Sequence, residues 1–258
     1  GYRRHHAIMI DKKLQMLPDC ILSSLEKVTG KLDRRVTVYR RLAKLFNGTS
    51  LVGNARIINY FKWIDQGLLS SLYTDDFRQE ITNDLAEQPM LDFLKTAHSD
   101  STDLDRMLAL EQRFFTTDHN LLYTDKMSMA AGVEVRVPLL AKNLVEFAAT
   151  IPDSMKQKGR EGKWIFKKTM EPYLPKEIIY RPKTGFGVPL RDWLAHELKD
   201  YLSDLLGHES LTDRGIFNAQ RVRKLVESND KGEIDVSYTI FLLMCIEIWC
   251  RQHLDISE

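Results

Sequence analysis

Apolar residues recur at helical spacing from Pro18 to Arg251, and nowhere is the two-residue alternation of a half-buried strand sustained. Pro18 and Asp19 open a pattern that sets Ile21, Leu22, Leu25 and Val28 on one face, with Gly30 where a left-handed cap is expected. A second pattern, from Arg34 to Phe46, turns Tyr39, Leu42, Leu45 and Phe46 inward and stops at Gly48. Residues 54–65 bring Ile57, Ile58, Phe61 and Ile64 to one side, and a short helix is expected from Asp75 to Leu85. Capping residues before Leu104 start a helix carrying Met107, Leu108, Phe114 and Phe115. Glu111 interrupts that face and is read as a core carboxylate paired with an arginine.

Further on, Trp193, Leu194, Leu198, Leu202 and Leu205 fit one helix over Arg191–Leu206. A turn is expected at Leu211–Phe217 and a helix at Ala219–Glu227. In the last helix Asp235, Arg251 and His253 complement the dipole. The expectation is a mainly α chain with little or no sheet. It is read as one helical region over residues 1–258, with a subdivision near 87–101 left open.

Charge narrows the function. Lys+Arg 37 against Asp+Glu 36 leaves +1, which argues against a globally basic nucleic-acid binder but not against a local anion site. The basic face Arg34, Arg35, Arg40, Arg41 and Lys44 reads as solvated surface. The apolar run Val236–Cys250 falls short of the roughly 20 residues a membrane span needs. Cys20, Cys245 and Cys250 form no CxxC pair, and they read as reduced core thiols of a cytoplasmic protein. His5–His6 reads as a surface pair, and no metal-ligand spacing is present.

Ionisable residues gather on short turns between Leu121 and Phe186, where chemistry tends to sit. Asp125, Glu134 and Arg136 flank the small residues Ser128, Ala130, Ala131 and Gly132, which would let backbone approach a ligand. The stretch KQKGREGKWIFKKTMEPYLP is read as a lysine-rich helix, with Lys163 just after Gly162 at a helix entry and Lys167 one turn on and facing the same way. Arg181 and Lys183 lie on a loop fixed by Pro182, Gly185 and Gly187. Lysines at a helix start suit an anion, and an arginine suits a carboxylate. The plain alternatives are a solvated lysine face, a local Glu–Arg pair and a serine that merely permits packing.

The string DKMSMAAGVEVRVPLL resembles the segment D(K/R)xSMAxxxExRxPFLD of asparagine synthetases. GKWIFKK followed by YLPKEIIYRPKTGFG is similar to the same family's GKxxL(K/R) helix and LPxxIxxRxKxGF loop, in the same order. Gly1-Tyr2 with Arg3 and Arg4 resembles the end of its SGDGxDELFGGYxR motif. The resemblance implies the helical second half of an adenine-nucleotide α-hydrolase-like (ATP pyrophosphatase) synthetase domain, starting part-way through it. It implies an ATP-dependent amide-forming ligase in which a carboxylate is adenylated and then amidated.

Lys163 aligns with the family lysine that contacts the phosphates, the catalytic candidate. Asp125, Ser128, Glu134, Arg136, Lys167, Arg181 and Lys183 become candidates for substrate or phosphate binding, with no protein-held metal. ATP and Mg²⁺ are implied, bound mostly by the first half of the domain. The implied partners are a small carboxylate substrate (aspartate or an analogue) and a glutaminase domain that draws ammonia from glutamine. No nucleic acid or membrane is implied, and a homodimer is left open.

Two positions depart from the pattern. Ala141 replaces the aspartate of PFLD, and Tyr123 stands where a basic residue is usual. Both are compatible with amidation of another carboxylate, such as a sugar acid or a peptide. The rival reading is a non-catalytic helical interaction module that kept the sequence and lost the chemistry. Because the family's SGGxDS pyrophosphate loop is not in this sequence, the isolated chain is predicted neither to hydrolyse ATP nor to bind it tightly. Calorimetry checks this, and micromolar binding by the chain alone would contradict it.

Overall fold

The computed structural model describes residues 2–32, 36–64, 66–81, 86–182 and 188–255. It is 69% helical, and its one sheet among the described residues has two strands, so the mainly α expectation holds. The first helices are α1 (Arg3–Leu14), α2 (Asp19–Gly30), α3 (Thr37–Phe46), α4 (Gly53–Asn59), α5 (Gln66–Leu72) and α6 (Asp75–Glu80). Next come α7 (Gln88–Lys95), α8 (Asp103–Leu110), a π-helix (Glu111–Leu121), α9 (Leu122–Ala130), a 3₁₀ turn (Pro138–Leu140) and α10 (Lys142–Thr150). α11 (Asp153–Lys156) leads into the hairpin β1 (Gln157–Lys158) and β2 (Glu161–Gly162), then α12 (Trp164–Met170) and α13 (Lys176–Ile179). The chain closes with α14 (Leu190–Ala195), α15 (Lys199–Leu205), α16 (His208–Arg214), α17 (Ala219–Asp230) and α18 (Ser237–His253).

Contacts divide the chain into two compact units, the first formed by residues 1–30, 44–60 and 86–182. Its core gathers Ile8, Ile57, Ile58, Leu94, Leu104, Met107 and Leu110 where α1, α4, α7 and α8 meet, and Leu22 of α2 is buried as well. Two ionic groups are buried there. Arg56 Nε donates to Asp11 Oδ2 at 2.9 Å and Nη2 to Asp11 Oδ1 at 2.7 Å. The rest of that guanidinium caps the end of α3 by donating to the carbonyls of Leu45 and Asn47. Glu111 is 5% exposed and accepts from Arg4 Nε, with His5 Nε2 at 3.1 Å. The arginine partner expected for Glu111 is therefore present, and His5, read as a surface residue, is buried. Burial is the main force lowering the His5 pKa, against the pull of Glu111.

α8, the π-helix and α9 follow one another without a break from 103 to 130. Thr102 caps the start through a capping box with Asp105, as its place before the apolar pattern suggests. π-helix normally appears as a single turn. Here it spans 11 residues and is matched by a side-chain bond of the same reach, Thr117 Oγ1 to Gln112 O at 2.7 Å.

The second unit is formed by residues 31–43, 61–85 and 183–258. Its core joins Leu72, Leu190, Leu194, Leu205, Leu211, Phe217, Val222, Ile240, Leu243 and Met244. Thr74 N–H to Ile216 O at 3.0 Å and Asn218 N–H to Leu72 O at 2.8 Å stitch residues 72–74 to 216–218. Glu247, buried on α18, accepts from Arg214 Nε and Arg251 Nε, each at 2.9 Å.

Several local expectations are corrected. The lysine-rich helix begins only at Trp164, because Gly159, at φ +57, turns residues 157–162 into a hairpin. Leu211–Phe217 is not a turn, since α16 runs to Arg214 and ends on a left-handed Gly215. Arg191–Leu206 holds two helices, divided where Leu198 N–H closes a wide turn on Trp193 O at 2.7 Å. Gly30 is the last residue of α2 and is not left-handed. Ile21, Val28, Tyr39 and Leu42 are exposed, and so is Cys20. Arg34 and Arg35 of the basic face, and Leu85 at the expected end of α6, lie outside the described residues.

The α8 start also meets α11. Asp153 Oδ2 accepts from Thr102 Oγ1 at 2.6 Å, and Lys156 Nζ donates to Asp105 Oδ1 at 3.0 Å. Burial pushes the Asp153 carboxyl above the ordinary carboxylate range, opposed by the Thr102 hydrogen bond and helped by the Asp105 charge. For Asp105 burial works upward, but hydrogen bonds from Lys156 and Thr102 outweigh it and hold the group low.

Two outcomes follow from these buried charges. Asp11→Ala leaves the Arg56 guanidinium uncompensated and should cost about 3–5 kcal/mol in urea unfolding. A loss below about 1 kcal/mol would contradict the pairing as a buried one. Asp153 binds its proton more tightly in the native state, so its contribution declines as pH rises from the ordinary carboxylate range through the raised value. Asp105 works the other way: its stabilisation is present above the unfolded pKa and lost as pH falls through the lowered one. Asp153→Asn, which keeps the neutral form at every pH, should therefore melt about 2–4 °C above wild type at neutral pH. That advantage should vanish in acid, where Asp153 is protonated in both states, and melting curves across pH read both ends.

Candidate functional site

All the candidate residues that are described lie in the first unit, on two separate supports. The first is the end of α9. Asp125 is exposed there, and Ser128, half-buried, donates its hydroxyl to the Asp125 carbonyl at 3.0 Å. The helix ends in paired bonds, Val133 N–H to Ser128 O and Gly132 N–H to Met129 O, both at 2.9 Å. This is a Schellman cap, which requires the left-handed Gly132 at φ +68. A Cβ on Gly132 would meet open space, so the glycine serves the backbone turn and not a close approach.

The chain then runs without regular structure to the 3₁₀ turn at Pro138. Arg136 Nε donates to Glu134 Oε1 at 2.9 Å, with side chains 82% and 68% exposed. So open an ion pair adds little to stability, and both groups can be reached from solvent. No hydrogen bond or ion pair joins this segment to the second support among the described residues.

The second support is the hairpin and α12. Gln157, buried, donates its side-chain amide to Gly159 O at 2.9 Å and fixes the hairpin tip. Lys163 follows β2 as the N-cap of α12, at φ 58 and ψ 34. It is the one non-glycine residue at positive φ among the described residues. A left-handed L-residue costs about 1–2 kcal/mol, because its Cβ crowds the next carbonyl.

Its neighbours are paired. Lys167 Nζ donates to Glu161 Oε1 at 2.9 Å, and Lys168 Nζ to Glu171 Oε1 at 2.7 Å. Tyr180 donates its hydroxyl to the same Glu171 oxygen, and its ring lies 5.3 Å from the Lys167 ammonium. Lys163 is exposed, and no ion pair or hydrogen bond engages its ammonium among the described residues. The arrangement leaves a solvent-facing, unneutralised cation on a left-handed backbone beside two neutralised ones. Arg181 is exposed beyond α13, and Lys183 lies outside the described residues.

Sequence reasoning passed over Glu161, Glu171 and Tyr180. Glu171, three residues after Lys168 on a helical pattern, was within reach of the spacing rule. Glu161 pairs across a hairpin-to-helix junction, which no helical spacing reveals. Around both supports apolar side chains stand in solvent, among them Met127 at 68%, Phe147 at 63% and Tyr173 at 75% exposed. A cleft of about 720 Å³ in the second unit, lined by Asp204, His208, Asp213, Arg214, Glu247 and Arg251, contains none of the candidates. Among the described residues no cluster of His, Cys, Asp and Glu could hold a metal ion, and no helix is long and apolar enough to cross a membrane.

Comparison with known proteins gives the chain a family. The chain is similar to an asparagine synthetase (glutamine-hydrolysing) of Bacillus subtilis, number 1 of that strain. The two are 32% identical over 154 residues, which is 60% of this chain and 24% of that protein. A second Bacillus subtilis asparagine synthetase, number 3, is 38% identical over 149 residues, 56% of the chain and 23% of the relative. A putative asparagine synthetase of Mycobacterium tuberculosis is 28% identical over 130 residues, 50% and 20%. The chain thus spans about a quarter of the length of the curated relatives it matches. No solved structure is significantly similar. The family model described as asparagine synthase matches residues 1–251, and the chain belongs to that family.

Proposed function

We propose that this chain supplies part of the active site of an ATP-dependent, amide-forming ligase, with Lys163 as its phosphate contact. The observation that carries the reading is the state of Lys163: a left-handed backbone and an ammonium left without a counter-ion while Lys167 and Lys168 have theirs. Strained residues persist where the surroundings over-determine them, and they cluster at functional sites. The relatives' names, asparagine synthetase (glutamine-hydrolysing), support the reaction class.

In this reading an oxygen of the acceptor carboxylate attacks the α-phosphorus of ATP, and the bond to the departing pyrophosphate breaks. Ammonia then attacks the carbonyl carbon of the acyl-adenylate, loses a proton, and AMP leaves. Negative charge grows on the pyrophosphate in the first step, and a preorganised ammonium stabilises it there more than in the ground state. Arg136 and Glu134 are reachable groups for orienting the acceptor, and Asp125, Ser128, Arg181 and Lys183 complete the proposed rim. Mg²⁺ accompanies the nucleotide. The described acidic side chains form no cage for it, so its ligands would be the phosphates and groups beyond these residues.

The solvent-facing apolar side chains of α9 and α10 support a further part of the reading, that the rest of the synthetase domain packs there. A glutaminase domain would deliver the ammonia. The acceptor is aspartate or an analogue, and Ala141 and Tyr123, where the family has an aspartate and a basic residue, are compatible with another carboxylate. A cytoplasmic setting fits the three free cysteines. The same apolar surface also favours the rival of a non-catalytic interaction module, and activity decides between them.

The deciding experiment is a pyrophosphate-release assay on the full-length protein. Lys163→Ala should melt near wild type yet lose about 10²–10³ in rate. Lys167→Ala should lose less, since its charge is already neutralised by Glu161. Lys163→Arg should rescue only in part, because a planar guanidinium does not replace a compact ammonium at a close phosphate contact. Wild-type release by Lys163→Ala would return this helix to a solvated lysine face.

A further inference from the structure

We propose that Glu161 and Lys167 are positioning residues for Lys163: their ion pair closes a clasp between the hairpin and α12 that holds Lys163 left-handed. The proposal rests on the reading of Lys163 as the phosphate contact. Glu161 lies two residues before Lys163 and Lys167 four after, and their side chains meet at 2.9 Å across it. A second contact spans the same residue, with the Lys158 ammonium 4.5 Å from the Trp164 ring centroid. Between them Lys167 N–H donates to Lys163 O at 3.0 Å, so the two backbones share the first turn of the helix.

The clasp is better shielded than the Glu134–Arg136 pair of the first support. Its side chains are 33% and 26% exposed, against 68% and 82% for Glu134 and Arg136. Shielding from water and salt strengthens an ion pair. The Tyr180 ring adds a face to the Lys167 ammonium at 5.3 Å. Without the clasp Lys163 is free to relax to negative φ, which redirects its Cα–Cβ bond and carries the ammonium away from its place. The pair thus works through Lys163 and needs no contact with substrate. It also explains why Lys167, one turn from Lys163, is engaged elsewhere.

The first test needs only the chain itself. Glycine adopts positive φ freely, so Lys163→Gly relieves the strain wherever the strain exists. Its cost in unfolded-chain freedom is the same in any background and cancels in a comparison. The Tm change on Lys163→Gly should be more favourable by about 2–4 °C in the wild-type background than in Glu161→Gln. Equal changes would overturn the clasp. Lys167→Gln opens it from the other side and serves in place of Glu161→Gln if that variant does not fold.

The second test uses the full-length protein and pyrophosphate release. Glu161→Gln should lower kcat by about 10- to 100-fold with KM for ATP little changed, as expected for a misplaced catalytic group. Lys167→Arg should keep most of the rate. A background-dependent glycine effect with unchanged kcat would confine the pair to structure and overturn its positioning role. If Lys163→Ala keeps wild-type release, the phosphate-contact reading falls, while the thermal comparison still decides the clasp.

Discussion

The turn from hairpin to helix at Lys163 is the constraint on which the proposed chemistry depends. The sequence places a lysine where glycine would sit without strain, and the backbone is left-handed all the same. Such a residue is held by what lies on either side. Before it, Gly159 and the buried Gln157 shape the hairpin; after it, α12 begins at once, and contacts cross from one to the other. The consequence is electrostatic as well as geometric, because the same contacts neutralise Lys167 and leave the Lys163 charge unopposed. α11, which feeds the hairpin, is anchored in turn by Lys156 and Asp153 to the capped start of α8.

Buried charge organises both units. In the first, Arg56 ties α1 to the end of α3 through Asp11, and Glu111 gathers Arg4 and His5 at the start of the π-helix. In the second, Glu247 holds Arg214 and Arg251 beneath α16. Pairs this buried gain little net stability over apolar packing, but losing one partner is costly. Each pair ties together the elements that carry its partners. The apolar cores fill around them, and in the first unit the α9–α10 region leaves much of its apolar surface in solvent.

Much of the helical content was legible because apolar spacing reports burial directly. Ile57, Ile58 and Phe61 were placed on one face and are buried, and the Thr102 cap and the arginine partner of Glu111 were also within reach. The failures share a cause. Ile21 and Val28 have the spacing of a core face, but only Leu22 of that set meets a neighbour closely enough to be buried, and spacing does not say what a helix packs against. The hairpin at 157–162 was hidden because KQKGREGK is lysine-rich like the helix it precedes, and only Gly159 marks the reversal. Of the site, the motif residues were visible as residue types, Gly132 was given a ligand role that its Schellman cap makes unnecessary, and the Glu161 pairing had no local signature.

The central claim is that Lys163, and not its neighbours, faces the departing phosphates. Competitive acetylation of the chain joined to the rest of the proposed synthetase domain, followed by peptide mass spectrometry, measures each lysine's reactivity separately. With inorganic pyrophosphate and Mg²⁺ present, acetylation of Lys163 should fall about 10-fold or more, as for a site more than nine-tenths occupied. Lys158 and Lys168 should be modified as before. Equal rates at Lys163 with and without pyrophosphate, or equal protection of all three lysines, would contradict the account.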